Sequence, residues 1–223
     1  MGEAGESVSR AGRSLTRRIK DRWKRWKYEN DPRKFWERRG AKGNFQEYPP
    51  DMLNEQGAFF TEQLSDLEFQ SALEVGCGHG RILRYTSQRL KESGLILGVD
   101  FGRPQLLKAQ ASLGERCRLV QATALSLPFR DNAFDLVYSV DVLMHIPPDH
   151  VRKALMENIR VSAKYVLCAE GIYTHFNMFG LDFRKEYEAL GLKTIRCVTD
   201  PYRVLRPKPI QFVVMEKRGT YAT

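Results

Sequence analysis

The stretch Leu73-Glu74-Val75-Gly76-Cys77-Gly78-His79-Gly80 places a carboxylate and three alternating glycines at the end of a short apolar run. Glycines at such a point permit positive φ and let a ligand approach backbone that a Cβ would shield. Asp100 ends the next apolar run, 20 residues after Gly80, where an acidic side chain can accept hydrogen bonds from both hydroxyls of a ribose. The dinucleotide fingerprint also puts an acid at about that distance, but its third glycine is missing, because Arg81 stands there. Glu74, just ahead of the loop, would repel a pyrophosphate and suits a ligand carrying an ammonium and a sulfonium. The loop and Asp100 together point to a cation-bearing nucleoside.

A second group of reactive side chains follows later. His145 comes after the fourth apolar run, and Tyr173, His175 and Asn177 come after the fifth. If the runs are parallel strands, both groups lie at the carboxyl edge, where open α/β sheets bind ligands. His145 fits two readings: a histidine packed at a helix start, or a substrate contact and general base whose ordinary pKa of about 6.5 suits neutral pH. Tyr173, His175 and Asn177 read as substrate contacts or as a surface loop with an aromatic anchor.

The elements that must carry these groups alternate. Apolar runs at Ser71–Val75, Leu95–Val99, Cys117–Gln121, Phe134–Val140 and Tyr165–Ala169 are separated mostly by helical patterns at about 80–92, 103–113 and 149–161. Strand and helix repeated in this way predict a mainly parallel sheet covered on both faces. Lys193–Val198 and Ile210–Glu216 have no helix between them and are expected as an antiparallel hairpin at the sheet edge. The expected fold class is thus α/β, doubly wound, with a mainly parallel seven-stranded sheet. After Pro49-Pro50 a helix is expected over 51–70 with Met52, Leu53, Phe59, Phe60, Leu64 and Leu67 inward, and Asp182 is expected to cap a helix.

Charge sets the boundaries. The 223 residues carry a net charge of +9, and +8 of it lies in residues 1–43, where 14 Lys/Arg face 6 Asp/Glu. The remainder is nearly neutral, which disfavours a uniformly basic nucleic-acid-binding fold. The expected division is a basic amphipathic arm at 1–44, a catalytic domain at 45–217 and a tail at 218–223. No apolar stretch is long enough for a membrane-spanning helix and no secretory h-region is seen, so a cytoplasmic location is expected. Cys77, Cys117, Cys168 and Cys197 are too scattered for a zinc site or a disulfide framework and read as reduced thiols, with no metal expected.

With these residues in place, the chain resembles a class I S-adenosylmethionine-dependent methyltransferase of the type 11 small-molecule group. The likeness lies in Leu73 to Gly80, Gly98-Val99-Asp100, Leu127-Pro128-Phe129 with Phe134-Asp135-Leu136-Val137, and His145-Ile146-Pro147. It implies a Rossmann-like methyltransferase fold and S-adenosyl-L-methionine as cofactor. It further implies that Glu74 organises the methionine end, that Gly76, Cys77, Gly78 and Gly80 line it, and that Asp100 binds the ribose. Phe101 packs on the adenine by the same resemblance, with Thr123, Ala124 and Ser139 nearby. The family often has Asp-Ala where this chain has Thr123-Ala124. His145, Tyr173 and His175 are the catalytic candidates.

The arm carries Leu15, Ile19, Trp23 and Trp26 on one helical stripe, with Arg18, Arg22 and Arg25 at its edge. It reads as an arm docked on its own domain or on a second subunit, as an anchor to an anionic membrane surface through residues 10–27, or as a nucleic-acid contact. The function expected is methyl transfer to an oxygen or nitrogen of a small-molecule or glycolipid acceptor. The alternatives are an RNA methyltransferase using the arm and a non-catalytic cofactor-binding module. Ser139-Val140-Asp141-Val142 after strand four lacks the Asn/Asp-Pro-Pro-Tyr/Phe signature of DNA amino-methyltransferases.

Overall fold

The computed structural model describes residues 22, 24, 25, 28, 30–42, 50–90, 94–175, 177–199 and 209–217. Leu15, Ile19, Trp23 and Trp26 lie outside them, and with them the expectation of an amphipathic arm.

Among the described residues seven strands form one sheet, β1 (Ser71–Val75), β2 (Leu95–Asp100), β3 (Arg118–Gln121), β4 (Phe134–Val140), β5 (Ser162–Gly171), β6 (Lys193–Thr199) and β7 (Ile210–Glu216), in the order β3-β2-β1-β4-β5-β7-β6. The first five are parallel, and β7 runs antiparallel to both β5 and β6. The expected edge hairpin is therefore present, with its second strand inserted next to β5. Parallel pairing of β1 with β2 and β4, and of β4 with β5, brings the ends of four strands to one edge. The loops after Val75, Asp100, Val140 and Gly171 meet there.

The helices whose bounds lie among the described residues are, in chain order, α1 (Pro32–Ala41), α2 (Pro50–Gln63), α3 (Leu83–Arg89), α4 (Arg103–Leu113), α5 (Pro148–Val161) and α6 (Phe183–Ala189). The helix expected over 51–70 stops at Gln63, and Leu64 and Leu67 instead bury themselves from the turn that follows. On one face of the sheet Phe60, Ile82 and Leu83 pack with Tyr138 and Phe212, and on the other Val151, Leu155, Phe183 and Tyr187 pack with Val166 and Val213. Each such side chain contributes about 1.5–3 kcal/mol when fully buried. Asp182 caps α6 as expected, accepting from the Lys185 amide at 3.3 Å.

Asp31-Pro32 reads in sequence as a break, and it is also a start. Asp31 accepts from the Lys34 amide at 2.9 Å, and Pro32 opens α1, where its missing N–H costs nothing. The helix lies on α4. A Cβ on Gly40 would stand 2.4 Å from Gln105 Cδ, so a larger residue there would have to displace the end of the Gln105 side chain. Lys108 Nζ donates to the Gly40 carbonyl at 2.5 Å.

Candidate active site

The turn after β1 is held from below. Gly76 and Cys77 both donate their amides to the Val99 carbonyl, at 2.7 and 2.9 Å. Gly76 and Gly78 have φ of +76° and +55°, in the region that favours glycine. Nothing lies within 4 Å of where a Cβ of Gly78 would stand, so that space is open to a ligand. Asp100 is buried at the end of β2, accepting from the Gly78 amide at 3.0 Å with one oxygen and from the Gly102 amide at 2.7 Å with the other. Each carboxylate oxygen keeps a lone pair for a hydroxyl.

Glu74 is buried and accepts from the Tyr138 hydroxyl at 3.2 Å. Burial pushes its carboxyl up to about 8, against the opposing pull of the Arg81 charge. Arg81 binds Asp141 at 3.0 Å and also reaches the side-chain oxygen of Gln56 on α2. It thus joins the glycine turn, the loop after β4 and α2. Asp141 takes a positive φ of 59°, a conformation uncommon outside glycine.

These groups line one end of a cavity of about 870 Å³, a size suited to ligands larger than a nucleoside alone. Cys77, Phe101, Thr123 and Ala124 line the same end. Two expected cofactor contacts stand elsewhere and are corrected here. Ser139 is fully buried off the cavity wall and donates to Glu170 at 3.1 Å; strand alternation gives the wall position to its neighbour Val140. Gly80 does not line the cavity, and its φ of +84° with a Cβ position 2.5 Å from Leu113 Cδ1 makes it a packing glycine against α4.

At the other end the structure brings together His145, Tyr173, His175 and Asn177. His145 closes a 3-10 turn over Leu143–His145 and is buried. Its Nδ1 lies 2.5 Å from the Asn177 carbonyl, which fixes Nδ1 as the protonated nitrogen and Nε2 as the acceptor. The pKa near 6.5 expected for this histidine is not kept, because burial lowers it to about 4. Glu170, fully buried at the end of β5, carries the turn: one oxygen accepts from the amides of Val142 at 2.9 Å and Met144 at 3.3 Å. Burial raises Glu170 to about 8 as well.

The roof comes from residues that sequence reasoning left unassigned. Tyr28, Pro32, Trp36 and Arg39 line the cavity. The Tyr28 hydroxyl donates to the His145 carbonyl and accepts from Trp36 Nε1 at 3.2 Å. The Trp36 and His145 rings meet edge to face at 4.7 Å, and the Arg39 guanidinium lies 5.8 Å from the Trp36 ring centre. Arg25 donates to the His175 carbonyl and stands over the Phe179 ring at 5.1 Å. The i, i+3 spacing of Trp36 and Arg39 was the available signal, since it sets both on one helix face.

Gln105 joins the roof to the cofactor end. The residue lines the cavity and its Nε2 donates to the Trp36 carbonyl at 2.8 Å, while its Oε1 is buried against Gly40 and Gly102 without a hydrogen-bond partner among the described residues. A buried acceptor left unsatisfied costs about 1–3 kcal/mol. The acceptor groups at this end fit a ribose beside Asp100 and a cationic amino-acid end beside Glu74, two parts of S-adenosylmethionine.

Comparison with known proteins agrees. Residues 72–164 match a family model described as a methyltransferase domain. An O-methyltransferase of Aspergillus sclerotiorum is 32% identical over 133 residues, covering 57% of this chain and 47% of that protein. A sterol 4-C-methyltransferase of Caenorhabditis elegans is 26% identical, covering 56% and 41%. The chain thus spans less than half the length of these curated relatives. Among solved structures, the magnesium protoporphyrin IX methyltransferase of Synechocystis PCC 6803 with bound S-adenosylmethionine superposes with a TM-score of 0.63 at 14% identity, over 87% of this chain and 97% of that one. The [4+2]-cyclase SpnF also superposes at 0.63, with 15% identity over 74% and 81%, so this fold by itself does not fix the reaction. The matched domain and these methyltransferase relatives place residues 72–164, which carry the glycine turn, Glu74 and Asp100, in the class I S-adenosylmethionine-dependent methyltransferases.

Proposed function

We propose that the chain binds S-adenosylmethionine at the glycine-turn end of the cavity and transfers its methyl group to an oxygen or nitrogen of a small-molecule acceptor held at the His145 end. The observation that carries this reading is continuity: Glu74, Gly78 and Asp100 share one cavity with His145, Tyr173 and His175. When bound, the cofactor supplies a methyl group on a sulfonium, which departs as a neutral thioether as the acceptor's lone pair forms the new bond. An in-line displacement of this kind depends on positioning more than on acid or base strength.

The chain's own residues supply that positioning. Asp100 accepts from the ribose hydroxyls, and Glu74 faces the cationic end. The Asn177 carbonyl holds the His145 ring so that Nε2 takes the hydrogen bond of an acceptor hydroxyl and aligns its oxygen. With a pKa of about 4, His145 orients the hydroxyl through Nε2, and the proton that the hydroxyl loses as its oxygen is methylated passes by way of that nitrogen to bulk water. The α1 roof and the loop after β5 exclude water from the site. The test is calorimetric titration with S-adenosylhomocysteine. Wild type should bind, Asp100→Ala should lose at least about ten-fold in affinity, and undiminished binding in that variant overturns the assignment.

Where the acceptor is a membrane-associated glycolipid, residues 10–27 would hold the protein at an anionic surface. The support is the sequence stripe of Trp23 and Trp26 among cations. Full-length protein should float with anionic liposomes, and a full-length Trp23→Ala/Trp26→Ala variant should not. Equal flotation of the two rules out an anchor through that stripe.

A further inference from the structure

The carbonyl of His145 is denied a donor by the sequence that follows it. In the turn over Leu143–His145, the Leu143 carbonyl accepts from the Ile146 amide at 3.0 Å and the Met144 carbonyl from the Phe179 amide at 2.7 Å. The amide that would serve the His145 carbonyl in the same way, three residues on, belongs to Pro148, with Pro147 before it. Proline has no N–H. The Tyr28 hydroxyl takes that place and donates to the His145 carbonyl.

The hydroxyl is itself fixed. Tyr28 is buried, its ring meets Phe35 edge to face at 5.2 Å, and its oxygen accepts from Trp36 Nε1 at 3.2 Å. Burial pushes its pKa up to about 12, so it remains a donor and does not serve as a base. The Trp36 ring meets the His145 ring at 4.7 Å, and the Asn177 carbonyl holds its Nδ1. His145 is thus gripped at its backbone, its ring edge and its ring nitrogen, and the roof supplies the first two.

We propose that Tyr28 is a positioning residue for methyl transfer: its hydroxyl, shared between the His145 carbonyl and the Trp36 indole, sets the turn so that His145 Nε2 meets the acceptor hydroxyl. This rests on the methyl-transfer reading above and on the role given there to His145. Without the hydroxyl a buried carbonyl loses its donor, which is unfavourable. The turn then shifts, and the ring moves off the Asn177 carbonyl.

The experiment uses full-length protein labelled with 15N-histidine and saturated with S-adenosylhomocysteine, observed by NMR at neutral pH, with His145→Gln assigning the signals. In wild type His145 should be neutral with Nδ1 protonated. Tyr28→Phe keeps the ring and removes the hydroxyl, and the ratio of the Nδ1-protonated to the Nε2-protonated form should fall about ten-fold. Phe35→Leu, which loosens the packing of the Tyr28 ring and keeps its hydroxyl, should retain the wild-type ratio. An unchanged ratio in Tyr28→Phe overturns the proposal, as does an equal fall in both variants, which would make Tyr28 a packing residue. Loss of S-adenosylhomocysteine binding in Tyr28→Phe also overturns it, because the hydroxyl would then serve the whole fold. Phenol, added as a hydroxyl probe, should move the His145 Nε2 signal of wild type and bind Tyr28→Phe about ten-fold more weakly. A wild-type Nε2 signal that ignores phenol, or a wild type that does not bind S-adenosylhomocysteine, strikes the methyl-transfer reading itself, even where the ratio in Tyr28→Phe falls.

Discussion

Gln105 Nε2 donates to the carbonyl oxygen of Trp36 at 2.8 Å, which ties the roof helix to the helix that starts just after Asp100. The same residue lines the cavity. Roof and cofactor end are thereby joined through one amide. Gln105→Leu should weaken the tie by about 1 kcal/mol. Hydrogen exchange of amides 34–41 should then speed up about five-fold, and S-adenosylhomocysteine should no longer protect them. Unaltered exchange would show that the helix is held by other contacts.

A second expectation concerns Glu74. Its carboxyl sits at about 8 in the cavity without ligand, so at pH 7 it is mostly protonated. A cationic ligand end beside it favours the charged form, and binding should release up to one proton. Calorimetric titrations of S-adenosylhomocysteine in buffers of different ionisation enthalpy measure this. Glu74→Gln should bind more weakly and release none through this group.

His145 has the opposite sign. In the unfolded chain it protonates near 6.5, and in the folded protein near 4. The folded state therefore loses stability relative to the unfolded state as pH falls from about 6.5 towards 4, and the loss is complete below that. His145→Gln should flatten this part of the stability profile in denaturant melts. In turnover, the acid limb of kcat/KM due to this residue should fall near pH 4.

Glu170 acts from behind the site. Glu170→Ala would leave the buried amides of Val142 and Met144 without their acceptor, a loss of about 2–4 kcal/mol, and should shift the orientation of His145. Because burial raises Glu170 to about 8 from an ordinary 4.5, the folded state holds its proton more tightly. Its contribution to stability is fully present below 4.5 and is lost as pH rises towards 8. Glu170→Gln should remove that slope while keeping an acceptor for the turn, and a slope that persists assigns it to another group.

Much of this architecture was legible in the residues. Phe134–Val140 and Ile210–Glu216 end in the structure where their apolar patterns end, because central strands bury both faces and switch abruptly to turn residues. The glycine turn was legible for the same local reason, since positive φ at Gly76 and Gly78 is a backbone demand that composition reveals. Ser139 was misplaced because sequence shows that it is inside but not which strand face it occupies. The roof was hidden more deeply. Helix α1 carries Arg33, Lys34, Arg38 and Arg39 around its surface, so its apolar periodicity is faint, and its purpose depends on Gln105 and His145, far away in the chain. The pKa of His145 was out of reach for a similar reason: it is set by a roof that only the folded chain assembles.

Arg25, Tyr28 and α1 form one run of chain from the basic segment to the top of the cavity. The net charge suggests residue 43 or 44 as the natural place to cut when preparing a smaller protein. Such a cut would discard Tyr28, Trp36 and Arg39 and leave the His145 end open to solvent. A shortened protein that folds well and turns over nothing would then report a missing ceiling rather than a missing enzyme, and a trim that ends before Arg22 is the safer choice.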